Sequence, residues 1–372
     1  MGSMGHAVLL TFLCLAPAFA VEPLNGTQPL ELQGDIPMQM VAGIDTYLNR
    51  ALEESVGKRA THWQVDTSSL DAYVNTIDPM RERLRTIIGA VDKRDAPHLE
   101  LIGSVDDTSH DPDARVDVYR VRWRVFRGVE GEGLLLEPKY VKAQIVALPD
   151  CDTTPEAFLE NGEITDGVSV ASKAAQMHCR VIVPVLIDRS DEFSGTPGLR
   201  MTNQPHREFI YRTGYELGRH IIGYEVQKVL SAVDWFAEKN PELPIGIMGY
   251  GEGGLIALYS AAVDTRIGAA MVSGYFQPRE RIWSEPIYRN VWGLLHEFGD
   301  AEIASLIAPR PLFIETNDKP LVAGPPEPHD GRDGAAPGAI TPPDVNAVSA
   351  EIKRATQLVS WMSPSPTIEQ FE

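Results

Sequence analysis

The chain has 372 residues and a formal net charge of -19, with 43% hydrophobic and 23% charged residues. That apolar share supports a large folded core and excludes a disordered chain. The acidic balance excludes nucleic acid as a partner, because a phosphate backbone would be repelled.

The first segment reads as a leader. His6 to Ala20 is an apolar run that ends in the small-residue pattern Ala18-Phe19-Ala20, followed by Val21-Glu22-Pro23. This predicts a signal peptide over residues 1–20 and a secreted or periplasmic protein, although no Lys or Arg precedes the run. The run is too short for a membrane anchor, and no later stretch reaches that length. Residues 21–97 follow as a helical region without a chemical motif. Ile44, Tyr47, Leu48 and Leu52 recur at helical spacing, as do Leu70, Tyr73, Val74 and Ile77, then Leu84, Ile87 and Ile88. They predict helices packed on one side of the domain that comes next.

That domain is expected over residues 98–362. In Val121-Arg122-Trp123-Arg124-Val125 apolar residues alternate with arginine, which predicts a strand with one wet face. Gly128 to Gly133 predicts a turn, and Leu134-Leu135-Leu136 a second strand. Strands at Ala143–Leu148, Val181–Leu186, Ile245–Met248, Ala269–Val272 and Pro311–Ile314 then alternate with helical stripes. These include Val170–Met177, Ile222 to Phe236, Leu255–Val263 and Val291–Phe298. Short apolar runs alternating with helices predict a mostly parallel sheet covered by helices on both faces. Gly324 to Pro343 reads as an irregular loop, and Asp344 as the cap of a last helix. Residues 363–372 read as a tail with no further strand. That leaves a sheet edge for another segment or a partner chain to cover. Cys151 and Cys179 fall at opposite ends of neighbouring strands, too far apart for a disulfide, and are predicted to be free thiols.

One turn carries chemistry. Gly249-Tyr250-Gly251-Glu252-Gly253-Gly254 joins an apolar strand to an apolar helix. As G-x-G-x-x-G it could cradle a dinucleotide pyrophosphate, but the next strand ends in Val272-Ser273-Gly274-Tyr275-Phe276, without the carboxylate that would hold the ribose. No nucleotide cofactor is expected. No H-E-x-x-H, C-x-x-C or Asp-rich loop occurs, so no metal site is expected either. As G-x-S-x-G the turn is a hydrolase elbow, with Gly249 and Gly253 in the small flanking places and Gly251 where the nucleophile belongs.

From about Lys142 to Glu315 the chain resembles the acetyl-xylan-esterase-like branch of the α/β-hydrolase superfamily. Besides the elbow, the matching segments are Leu217-Gly218-Arg219-His220, Val229-Leu230-Ser231-Ala232-Val233-Asp234, Ala261-Ala262-Val263-Asp264-Thr265-Arg266-Ile267 and Leu306-Ile307-Ala308-Pro309-Arg310-Pro311-Leu312. The resemblance implies an α/β-hydrolase-like sheet preceded by the N-terminal helices. It also implies an acyl-transfer site in which Ser attacks a carbonyl, activated by His and oriented by an acid. Carried over residue by residue, the nucleophile is missing at Gly251. Backbone oxyanion donors fall at Glu252 and near Asp150 or Cys151, with Tyr250 and Tyr275 as further pocket residues. The acid falls at Asp318, with Glu315 as the alternative. The candidate histidines are His329, His206 and His220. Glu252 or Asp150 is the group that could activate water in place of serine. The expected function is a degenerate esterase that binds a carbohydrate or other ester ligand, or hydrolyses it weakly. The alternatives are an active hydrolase using an unconventional group, or completed by sequence beyond residue 372, and a non-catalytic interaction protein.

Overall fold

The computed structural model describes residues 24–29, 31, 33–105, 116–161, 169–318 and 320–371. The predicted signal peptide lies outside them. Two units are separated at Arg50/Ala51. Helix α1 (Ile36–His62) begins in the first unit, where Ile44, Tyr47 and Leu48 are exposed. No helix among the described residues is long and apolar enough to cross a membrane.

Among the described residues, the second unit is built on nine strands: β1 (Leu99–Val105), β2 (Val116–Phe126), β3 (Val129–Pro138), β4 (Ala143–Leu148), β5 (Cys179–Pro184), β6 (Ile245–Tyr250), β7 (Ile267–Ser273), β8 (Leu312–Glu315) and β9 (Ile368–Phe371). Their order is β1-β2-β3-β5-β4-β6-β7-β8-β9. The first three are antiparallel, β3 pairs antiparallel with β5, and the pairs from β5–β4 through to β8–β9 are parallel. Alternation in β2 works as read: Val121, Trp123 and Val125 are buried while Arg120, Arg122 and Arg124 face water. The expected turn at Gly128–Gly133 is mostly strand instead, because its glycines serve close packing. A Cβ on Gly131 would lie 2.3 Å from the Trp123 ring, and one on Gly133 2.2 Å from the Val183 carbonyl oxygen.

Helices α3 (Pro155–Asn161) and α4 (Val170–Gln176) follow β4, and α5 (His206–Tyr215) and α6 (Ile221–Lys239) follow β5. Helix α7 (Glu252–Val263) follows β6 and is buried along its whole length. Such a helix is expected to be apolar nearly all round, and beyond Glu252 at its start its Leu, Ile, Ala and Gly residues meet that need. Helix α2 (Leu70–Ile87) runs through Pro79 and packs on α7, with the Tyr73 hydroxyl donating to the Ser305 carbonyl at 2.8 Å. The Ala-Pro-Arg-Pro motif has a structural task. Arg310 donates to the carbonyls of Ala261, Asp264, Ile267 and Leu306, joining the end of α7 to the strand that follows it.

Two expectations change downstream. The helix read over Val291–Phe298 shrinks to α8 (Leu294–Glu297), and α9 (Asp300–Ile307) forms after it. The residues read as a tail with no further strand supply β9, paired with β8 from Leu312↔Ile368 to Glu315↔Phe371. Before it, α10 (Val345–Leu358) is capped by Asp344 as read. The segment needed to extend the sheet beyond β8 is therefore the chain's own.

Candidate functional site

The strand order reverses between β4 and β6. The chain leaves β4 for β5 on one side, then returns past β4 to β6 on the other. Parallel sheets hold ligands in the crevice outside the carboxyl ends of strands at such a point. Two segments meet there: Asp150 just beyond β4, and Gly251 between β6 and α7.

Gly251 has φ 56° and ψ -118°, a backbone conformation that side chains disfavour. The turn is tight on both sides. A Cβ on Gly249 would lie 2.1 Å from the Gly253 carbonyl oxygen, and one on Gly253 2.3 Å from the Leu148 carbonyl oxygen. A Cβ on Gly251 itself would lie 2.3 Å from Asp150 Oδ1. A carboxylate therefore fills the space in front of this glycine.

That carboxylate is fixed from two directions. Asp150 Oδ1 accepts the Glu252 backbone N–H at 2.9 Å, one of the first-turn amides that a helix leaves without an internal partner. The positive end of the α7 dipole favours an anion at the same spot. From the other side Arg189 makes a fork, Nη1 to Oδ2 at 2.5 Å and Nη2 to Oδ1 at 3.1 Å. Arg189 also donates to Asp152 Oδ2 at 2.7 Å and to the Tyr288 hydroxyl at 3.0 Å. Burial works to raise the pKa of Asp150, but the Arg189 contacts outweigh it and hold the group below its ordinary value.

Glu252 is fully buried and sits among three guanidinium groups. Arg289 Nε lies 2.6 Å from Oε1, Arg189 Nη2 3.4 Å from Oε1, and Arg207 Nη2 3.2 Å from Oε2. Burial alone would raise its pKa, yet Arg289, Arg207 and Arg189 hold it at about 2. The network extends through Glu285, which binds Arg289 at 2.8 Å and Arg279 at 3.2 Å, to Asp300, 2.9 Å from Arg279. Tyr275 lies under Arg279, with the guanidinium 3.7 Å from its ring centre, and is buried. Cys151 is buried, and burial pushes its thiol well above the ordinary value. Cys151 and Cys179 are both free thiols.

The candidate histidines have other work. His220 caps α6: its Nδ1 accepts the Ile222 N–H at 3.1 Å, and Nε2 faces the Asn290 carbonyl at 3.0 Å. Burial drops its pKa to about 4. His206 binds Asp188 at 2.6 Å through Nδ1 and accepts the Phe193 N–H at 2.8 Å through Nε2. His329 lies 2.8 Å from Asp191 and 3.2 Å from Asp330, which hold its pKa up. Asp318 is exposed in the loop after β8. Glu315, at the end of β8, instead accepts the Ser273 hydroxyl.

Beside the elbow is a cavity of about 230 Å³. Its wall is mostly apolar, with Leu148, Ala157, Phe158, Met248 and Met271, while Tyr250, Asp150, Ser273 and Glu315 supply polar groups. Asp150, Cys151 and Asp152 bring ligand atoms within 4.8 Å of one another, but both carboxylates already bind Arg189. A cation there would have to displace or face a guanidinium.

Sequence reading brought Asp150, Cys151, Gly251 and Glu252 to one place. It missed Arg189 in the loop after β5, Arg207 on α5, and Tyr288 and Arg289 in the segment between β7 and α8.

Sequence comparison finds no matching family model and no matching curated protein. Structural comparison does find relatives of the fold. A structure assigned as an acetyl xylan esterase from Bacteroides fragilis superposes with a TM-score of 0.57 at 12% identity, over 83% of this chain and 78% of that one. A methylesterase matches with a TM-score of 0.50 at 13% identity, over 86% of this chain and 63% of that one. The fold is that of the α/β-hydrolases. A glucuronoyl esterase from Solibacter usitatus is also similar, at 13% identity over 79% of this chain and 82% of that one, with a TM-score of 0.48. These identities speak for the fold alone.

Proposed function

We propose that this chain is an exported, non-hydrolytic protein of the esterase-like α/β-hydrolase branch, which binds a small ligand at the strand-switch crevice without cleaving it. The observation that carries this reading is the Asp150 carboxylate, 2.3 Å from where a Cβ on Gly251 would stand and bonded to the Glu252 N–H. In an acyl-transfer site of this fold the nucleophile side chain would rise from position 251. The following backbone N–H would hold the oxyanion. Here one carboxylate occupies the first space and uses up the second donor. A developing oxyanion would meet a fixed negative charge.

Substitute chemistry has little support. A general base works best with a pKa near the operating pH, and Glu252 is held at about 2, fully buried and ion-paired. Asp150 is depressed and clamped, and the Cys151 thiol is kept protonated by burial. The adjacent cavity, by contrast, can admit a ligand without any covalent step. Hydrolysis of 4-nitrophenyl acetate tests the reading. The natural protein is expected to leave the buffer rate unchanged. Turnover that Glu252→Gln or Asp150→Asn abolishes would overturn it and make water activation the leading account.

A further inference from the structure

The cavity beside the elbow is asymmetric in a way that names a ligand. Its body is formed by Leu148, Ala157, Phe158, Met248 and Met271. An engineered apolar cavity of about 150 Å³ is enough to take up benzene. The 230 Å³ available here therefore admits an aromatic ring with a short arm. At the polar end the two acidic groups are Asp150 and Glu315. Asp150 is neutralised by the Arg189 fork, so it offers no net charge to a ligand. Glu315 is different: its side chain accepts the Ser273 hydroxyl, and among the described residues no cation is paired with it.

We infer that this cavity takes a small primary amine with an apolar body, its ammonium on Glu315 and its ring against Phe158, Met248 and Met271. The inference rests on the ligand-binding reading above and goes further by giving the ligand a charge. A carboxylate on an apolar wall favours a cation over an isosteric alcohol and repels an anion. Three donors on an ammonium can reach Glu315 while leaving the Ser273 hydroxyl bond in place. The protein's net charge of -19 adds attraction at long range, which salt screens. An ester or a free carboxylic acid, the ligands that the fold brings to mind, gains nothing from Glu315.

Calorimetric titration with benzylamine, benzyl alcohol and benzoate reads this directly. Benzylamine is expected to bind about tenfold more tightly than benzyl alcohol, with no binding of benzoate. Glu315→Gln is expected to erase the advantage of the amine over the alcohol, and thermal unfolding checks that this variant is folded. Ala157→Leu, which adds bulk inside the cavity, is expected to weaken amine and alcohol alike. Equal affinity for amine and alcohol, binding of benzoate, or an advantage that survives Glu315→Gln would overturn the inference. Ester turnover by the natural protein bears on the non-hydrolytic reading instead, so the two can fail separately.

Discussion

At the scale of single residues, the site turns on a pair that exclude each other's alternatives. Gly251 has no side chain, and Asp150 uses the room that this leaves. Gly251→Ser places a Cβ against Asp150 Oδ1 in a strained backbone conformation, and is expected to cost about 2–4 kcal/mol in chemical denaturation. Adding Asp150→Gly is expected to recover part of that loss, because neighbours that share one space are not additive. Asp150→Ala alone leaves the Glu252 N–H without its acceptor and removes the forked partner of Arg189. It is expected to cost about 3–5 kcal/mol, the range for breaking a buried ion pair. Acetate is expected to restore part of this stability, since it supplies the same carboxylate to the same donors, whereas chloride at equal ionic strength is not. Absence of any acetate effect in thermal unfolding would show that the Asp150 pocket closes once emptied.

At the scale of elements, β9 closes what the sequence appeared to leave open. Deleting residues from Thr367 onward is expected to lower the melting temperature and to promote self-association, because β8 would become an edge with unpaired backbone groups. Light scattering on the truncated chain checks this. The same strand shows the limit of reading by pattern. Ile368-Glu369-Gln370-Phe371 has only two apolar residues, and its pairing is decided by β8 rather than by its own composition. The five central parallel strands were legible because strands buried on both faces are nearly continuous apolar runs. The Gly128–Gly133 stretch misled because glycine serves turns and close packing equally well. In the site, the elbow was legible from its glycines. The ionic network was not, because Arg189, Arg207 and Arg289 are far apart in sequence and arginines ordinarily face water.

At the scale of the whole molecule, buried titratable groups set how stability follows pH. His220 has a folded pKa of about 4 against 6.5 unfolded, so its contribution is complete above pH 6.5 and is lost as pH falls toward 4. Glu252, at about 2 against 4.5, contributes above pH 4.5 and loses that contribution as pH falls through 2. Asp300 works in the opposite sense. Burial raises it to about 6 from 3.8, so its effect is most favourable below pH 3.8 and fades as pH rises through 6. Between pH 4 and 6 the terms from His220 and Asp300 oppose each other. Asp300→Asn removes the compensating term, and its melting temperature is expected to fall more steeply than that of the natural protein between pH 6.5 and 4.

Closure of the site depends most on the Glu252 N–H being taken by the protein's own carboxylate. Amide hydrogen exchange at Glu252 reads this bond alone, since a first-turn amide has no other partner within its helix. Strong protection in the natural protein, lost in Asp150→Ala, is the predicted result. Rapid exchange in the natural protein would mean an open oxyanion donor above Gly251, and would contradict the proposal that this site has been closed to hydrolysis.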